Sequence, residues 1–208
     1  MSTRRAGTRR DPNDSLLAEK VTVAKYHEWE ANRNRREIAK FIYQRFTERY
    51  LKPISNTQRN GFTIMAICCL TIEALESFQK GWPDTEEWEE YMFMGEKLKT
   101  KRGQAAFYYF FSENPYFNDF QAVFKQFYKC VRCGILHQAE TTGGWHIRRD
   151  EPSLFNHSTK TIDATLFFKG VQQALLDYRK NLEISDWDSD MWVKLRNKMD
   201  QVCKNCAE

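Results

Sequence analysis

The sequence predicts an all-α fold, a helical bundle of four or more long helices with one short extended turn, on three observations. The 208 residues are 41% hydrophobic and 14% aromatic but hold only 9 Gly and 5 Pro. That is too apolar for a disordered chain and too poor in turn residues for a sandwich of many short strands. Apolar residues recur at helical spacing, as in Ile38, Phe41, Ile42 and Phe46, or Phe120, Phe124, Phe127 and Val131. Between Phe62 and Leu75 they cover nearly every direction around the axis, the mark of a central helix.

Taken in order, residues 1–14 form a flexible basic tail with Arg4, Arg5, Arg9 and Arg10. A single bundle domain spans 15–200, and 201–208 is a polar C-terminal tail. Asp14 or Ser15 can cap a first helix running to about Lys52, where Pro53 stops it; the Arg33, Arg35, Arg36 cluster reads as a wetted face. Asn60-Gly61 marks a turn, and the central helix follows to Lys80, ended by Gly81-Trp82-Pro83. Glu73 is its one charge before Glu76, so it must lie near a rim or find a partner, as a structural clasp or as part of a site. Acidic residues 84–90 and basic residues 97–102 are expected to carry short helices. Residues 104–111 are aromatic enough to pack inward until Asn114-Pro115 breaks them. A helix from Phe117 leads into residues 127–149, and Gly143-Gly144 makes a turn before a short extended piece at 145–147. Further helices are expected at about 162–182 and 186–199.

The formal net charge of +4 is compatible with a polyanion without demanding one. Arg4 to Arg10 are followed by no apolar core, so no signal peptide is read. The most apolar run, 62–72, is about eleven residues against the roughly 18 needed to span a bilayer. A soluble, cytoplasmic protein with no membrane partner is the expectation, and six Cys suit reduced thiols there.

Residues 127–149 read FYKCVRCGILHQAETTGGWHIRR and carry the chemistry. Arg132 and His137 enclose four mostly apolar residues late in a helix. Alone, that spacing is weak; its surroundings make it specific. Phe127-Tyr128-Lys129, Val131-Arg132, Gly134-Ile135-Leu136-His137-Gln138 and Gly143-Gly144-Trp145 together resemble an uncharacterised bacterial branch of the HEPN family, over about 25 residues. The family's helical-bundle proteins share an Arg, four to six residues, then a His. The position after the Arg, commonly Asn or Asp in the family, is Cys133 here.

The resemblance implies a metal-independent endoribonuclease working as a homodimer without a cofactor, with growth-limiting toxin or phage-defence roles and a protein antitoxin as a possible partner. Arg132 and His137 suit that work. Imidazole exchanges protons near neutrality, and a guanidinium clamps phosphate through paired bonds. Lys129, Gln138, His146 and Arg148 could extend an RNA-binding surface. Positions five apart on an α-helix point about 140° from each other. Either the helix loosens near Gly134, or each residue meets its partner from a second chain. A different reading pairs Arg132 with Glu140 or Glu73 and leaves His137 bonded to backbone. The functional alternative is a catalytically silent helical module binding RNA, a nucleotide or a partner protein.

Cys130-x-x-Cys133 and Cys203-x-x-Cys206 are nominally a zinc ligand set, but their separation and setting argue against it, and no metal is expected. Trp145 reads as a core or interface anchor, with base stacking the other option.

Overall fold

Gly61–Lys80 (α3) shows how the chain is organised, because most of its circumference is buried, with Phe62 and Leu70 the exposed apolar exceptions. Ile64, Met65, Cys68, Cys69, Ile72 and Leu75 are all buried. The computed structural model describes residues 12–54, 60–93 and 95–206, and helix dominates it, accompanied by three small sheets. Mostly-α is therefore the class. Among the described residues, α3 is the helix long and apolar enough to cross a membrane by length and composition. Its length exceeds the eleven-residue run expected, because the apolar character continues past Glu73.

The single helix expected over 15–52 is a correction. Leu16–Ala18 (β1) pairs antiparallel with Val21–Thr22 (β2), and Val23–Ala31 (α1) follows, capped by the Thr22 hydroxyl accepting from Lys25 N at 3.2 Å. The chain breaks at Arg33, whose φ of 51° is left-handed, and Asn34 caps Arg35–Phe46 (α2). Two Asn flanking that residue favour a cap and a break over continued helix. A wide π-type turn, Thr47–Leu51, and a 3₁₀ turn, Lys52–Ile54, finish the segment. Residues 1–11 of the expected tail lie outside the described residues; Pro12–Asp14 form a 3₁₀ turn.

Short helices were expected across 84–102, and a hairpin stands there instead. Trp88–Phe93 (β3) pairs antiparallel with Glu96–Lys101 (β4). The alternation of Tyr91, Phe93 and Leu98 against Glu90, Lys97 and Lys99 is period two, and Gly95 at φ 83° makes the turn. Arg102–Glu113 (α4) follows and packs against α3.

The motif helix is a composite of Pro115–Val123 (3₁₀), Phe124–Phe127 (α5), a π-type turn Tyr128–Arg132, and Cys133–Gln138 (α6). Its stripe Phe120, Phe124, Phe127 and Val131 is fully buried. Phe127 stacks on Phe167 with centroids 5.6 Å apart. His146–Arg148 (β5), Phe155–Asn156 (β6) and Thr161–Asp163 (β7) form a sheet with β7 in the middle, parallel to β5 and antiparallel to β6. Ile162, expected to open a helix, belongs to β7. Ala164–Ile184 (α7) begins after Asp163, whose carboxylate accepts from Leu166 N at 2.7 Å and Glu151 N at 3.0 Å. Asp190–Asn205 (α8) closes the chain and buries Cys203, so the polar tail expected at 201–208 is helix as far as Asn205. Helices α4, α7 and α8 all pack on α3.

Candidate functional site

The buried stripe through Phe127 and Val131 anchors the motif helix, and a widened turn then sets where Arg132 points. Cys133 N donates to Tyr128 O, five residues back rather than four. Such turns are rare and recur at functional sites. The expected loosening exists, but over Tyr128–Arg132 rather than at Gly134. Thr142 N donates to Cys130 O at 2.9 Å, tying this turn to the loop that follows. Gly134 serves close approach: a Cβ there would stand 2.5 Å from Glu140 O. Ala139, at φ 56°, ends the helix in the left-handed region.

Arg132 leaves that turn toward α3. Its Nε donates to Glu73 Oε1 at 2.6 Å and its Nη2 to Glu73 Oε2 at 3.0 Å. The guanidinium also lies over the Tyr128 ring, 5.3 Å from the centroid. Burial raises the Glu73 carboxyl above its usual range, and the bonds from Arg132 pull it back. For Arg132 burial acts downward, but the bonds and charge of Glu73 outweigh it and raise its pKa. Both carboxyl oxygens accept, which is the geometry of a carboxylate, and we take the pair as ionised at neutral pH. Glu140, the other partner considered for Arg132, instead accepts from its neighbour Thr141 N at 2.9 Å.

His137 Nε2 lies 3.5 Å from Arg132 Nη1, a long contact at the exposed end of the helix. A guanidinium has no acceptor, so this contact asks for an unprotonated Nε2 with the ring hydrogen on Nδ1. The two residues therefore meet within one chain, although an unbroken α-helix would have pointed them apart. Of the five N–H groups of Arg132, two go to Glu73 and one to His137. The remaining N–H groups lie on the terminal nitrogens, where the Cys133 thiol is also a hydrogen-bond neighbour. Two cavities of the fold are lined by none of Arg132, Glu73 and His137, and of these three only His137 is exposed.

No protein-family model, curated protein or solved structure matches this chain. The site is thus read from its own geometry.

Lys129, Gln138, His146 and Arg148 are all exposed. Lys129 sits on the widened turn, Gln138 at the end of α6, and His146 and Arg148 on the edge strand β5. Their neighbour Arg149 is engaged with Asn60 Oδ1 at 2.8 Å. Trp145 is buried and stacks on Phe155 with rings 5.1 Å apart, so it is a core anchor. Cys133 is half-buried against Tyr128 and Arg132. Among the described residues no group of three or more His, Cys, Asp or Glu comes together to hold a metal ion. Sequence reasoning passed over Tyr128. Its signal was an aromatic residue one helical turn before an arginine, a spacing that stacks the two.

Proposed function

We propose that this chain is a HEPN-like endoribonuclease that cleaves RNA by attack of a ribose 2′-hydroxyl, with Arg132 and His137 as its catalytic residues. The observation carrying this reading is the 3.5 Å contact of His137 Nε2 with Arg132 Nη1 at an exposed edge, while Glu73 holds the far side of the guanidinium. A phosphodiester on that edge would meet a charged donor and a proton acceptor together. His137 takes the 2′-hydroxyl proton at Nε2, the hydroxyl displacing the long contact from Arg132, as the oxygen bonds to phosphorus. The P–O5′ bond breaks, leaving a 2′,3′-cyclic phosphate and a 5′-hydroxyl once the leaving oxygen is protonated. Arg132 offsets charge that builds on the phosphoryl oxygens. Lys129, Gln138, His146 and Arg148 would guide the strand.

A homodimer fits the same reading: two copies facing across a two-fold axis would supply one imidazole as base and another as acid. A monomer in light scattering at micromolar concentration would remove that part. A toxin or phage-defence role, with a protein antitoxin as partner, belongs to the same resemblance.

One observation favours a second reading. Glu73 already neutralises Arg132, as it would in a silent module that binds RNA, a nucleotide or a partner protein. Cleavage of RNA in the presence of chelator, compared for wild type, Arg132→Ala and His137→Ala, separates the two. Loss of cleavage in both variants supports catalysis. No cleavage by wild type, or full cleavage by either variant, overturns it.

A further inference from the structure

We infer that a second site, a phosphate-class anion pocket, lies between α2, α3 and α8, with Arg45, Arg49 and Lys198 as its ligands. These residues line a cavity of about 200 Å³ whose apolar walls include Tyr50 and Phe78. None of Arg132, Glu73 or His137 borders it, so the inference stands apart from the nuclease reading.

The charge gathered here is uncompensated. Arg45 and Arg49 are like charges one helical turn apart, and both donate to a single neutral acceptor, the Leu17 carbonyl, Arg49 Nη2 at 3.1 Å. Lys198 Nζ donates to another neutral acceptor, Pro83 O, at 3.0 Å. Among the described residues no carboxylate forms an ion pair with any of the three. Arg49 also borders a second cavity, shared with Glu19, Glu48 and Lys52, but the Glu48 carboxylate there accepts from Glu19 N at 3.3 Å and forms no ion pair with Arg49.

Gathering cations in a partly desolvated cleft is unfavourable unless an anion completes it. Burial, and then the charge of Arg49, lowers the pKa of Arg45. Lys198 is also lowered by burial, with Arg45 acting in the same direction and Asp84 against it. A carbonyl cannot answer either guanidinium's charge. A tetrahedral dianion can, accepting from several N–H groups at once. The volume suits a phosphate group, with Tyr50 beside it for whatever the phosphate is attached to.

The test is calorimetric titration of the full chain at low salt with inorganic phosphate, and separately with adenosine 5′-monophosphate. Saturable binding of phosphate alone, or of both with the nucleotide tighter, supports the site; the second outcome assigns it to a phosphomonoester. Lys198→Gln, which alters one surface-side donor, should weaken binding at least about tenfold, and Arg49→Gln likewise. Arg45→Gln should abolish binding, but it also removes a bond to β1, so the first two variants decide if it unfolds. Absence of saturable binding by either probe, or unchanged affinity in both Lys198→Gln and Arg49→Gln, overturns the proposal.

Discussion

Arg132 and Glu73 are joined by two parallel hydrogen bonds, 2.6 and 3.0 Å long, across 59 residues of sequence. With side chains 17% and 11% exposed, the pair is mostly withdrawn from water. It joins the central helix to the motif helix and leaves the outer edge of the guanidinium facing His137. The contact is a structural clasp, and on the proposed reading it also positions Arg132.

Removing one side of that pair should therefore cost both stability and orientation. Glu73→Gln keeps the shape but strands the guanidinium, and should lower unfolding free energy by about 3 kcal/mol in urea titrations. Cleavage should fall with it. Arg132→Lys should not rescue activity, because a point ammonium cannot reproduce the side-on fork. An Arg132→Lys variant as active as wild type would contradict this geometry.

His137 behaves differently, since it is exposed and holds no part of the core. His137→Ala should leave the urea midpoint within about 0.5 kcal/mol of wild type. Its rate of RNA cleavage should drop by roughly 10²–10⁴. A large stability loss with activity intact would reassign His137 to a structural role.

Glu76 lies one turn beyond Glu73, wholly buried, and neither of its oxygens finds a hydrogen-bond partner among the described residues. Burial pushes its carboxyl from 4.5 up to about 8, with Lys80 acting against and Glu113 adding. The fold holds the proton that the unfolded chain releases near 4.5. Its contribution is therefore fully present below that pH and is lost as pH rises through about 8. Glu76→Gln should match wild type near pH 4.5 and exceed it by a few kcal/mol at about pH 9, measured by urea unfolding across that range. Parallel pH profiles for the two proteins would refute the buried acid.

Gly134→Ala should destabilise the chain by about 1–3 kcal/mol, because its Cβ would meet the Glu140 carbonyl at 2.5 Å. The backbone there must shift, and Arg132 and His137 flank it. Reduced cleavage is expected alongside the lower melting temperature. A neutral Gly134→Ala in both assays would mean that the loop yields freely.

Period and punctuation were enough to read much of this fold. The stripe through Phe120, Phe124, Phe127 and Val131 is buried as its spacing required, and the all-round apolar residues of α3 place it at the centre. Gly81 ends α3 in a left-handed turn. These features follow from side chains within a few positions of one another, which is the range over which periodicity carries information. The same range explains the errors. The hairpin over Trp88–Lys101 hid behind its charges, since an acidic and a basic stretch look like solvated helix until cross-strand pairing aligns Glu90 with Lys99.

The sequence by itself determined that helices dominate, that Arg132 and His137 close one motif, and that Glu73 needed a partner or a rim. Tertiary structure alone decided that Arg132 is that partner, that a turn widened by one residue brings Arg132 to His137 within a single chain, and that Arg45, Arg49 and Lys198 share a cleft. The physical reason is separation along the chain. A charge selects its neighbour by desolvation and distance in space, and neither is expressed in the local order of residues.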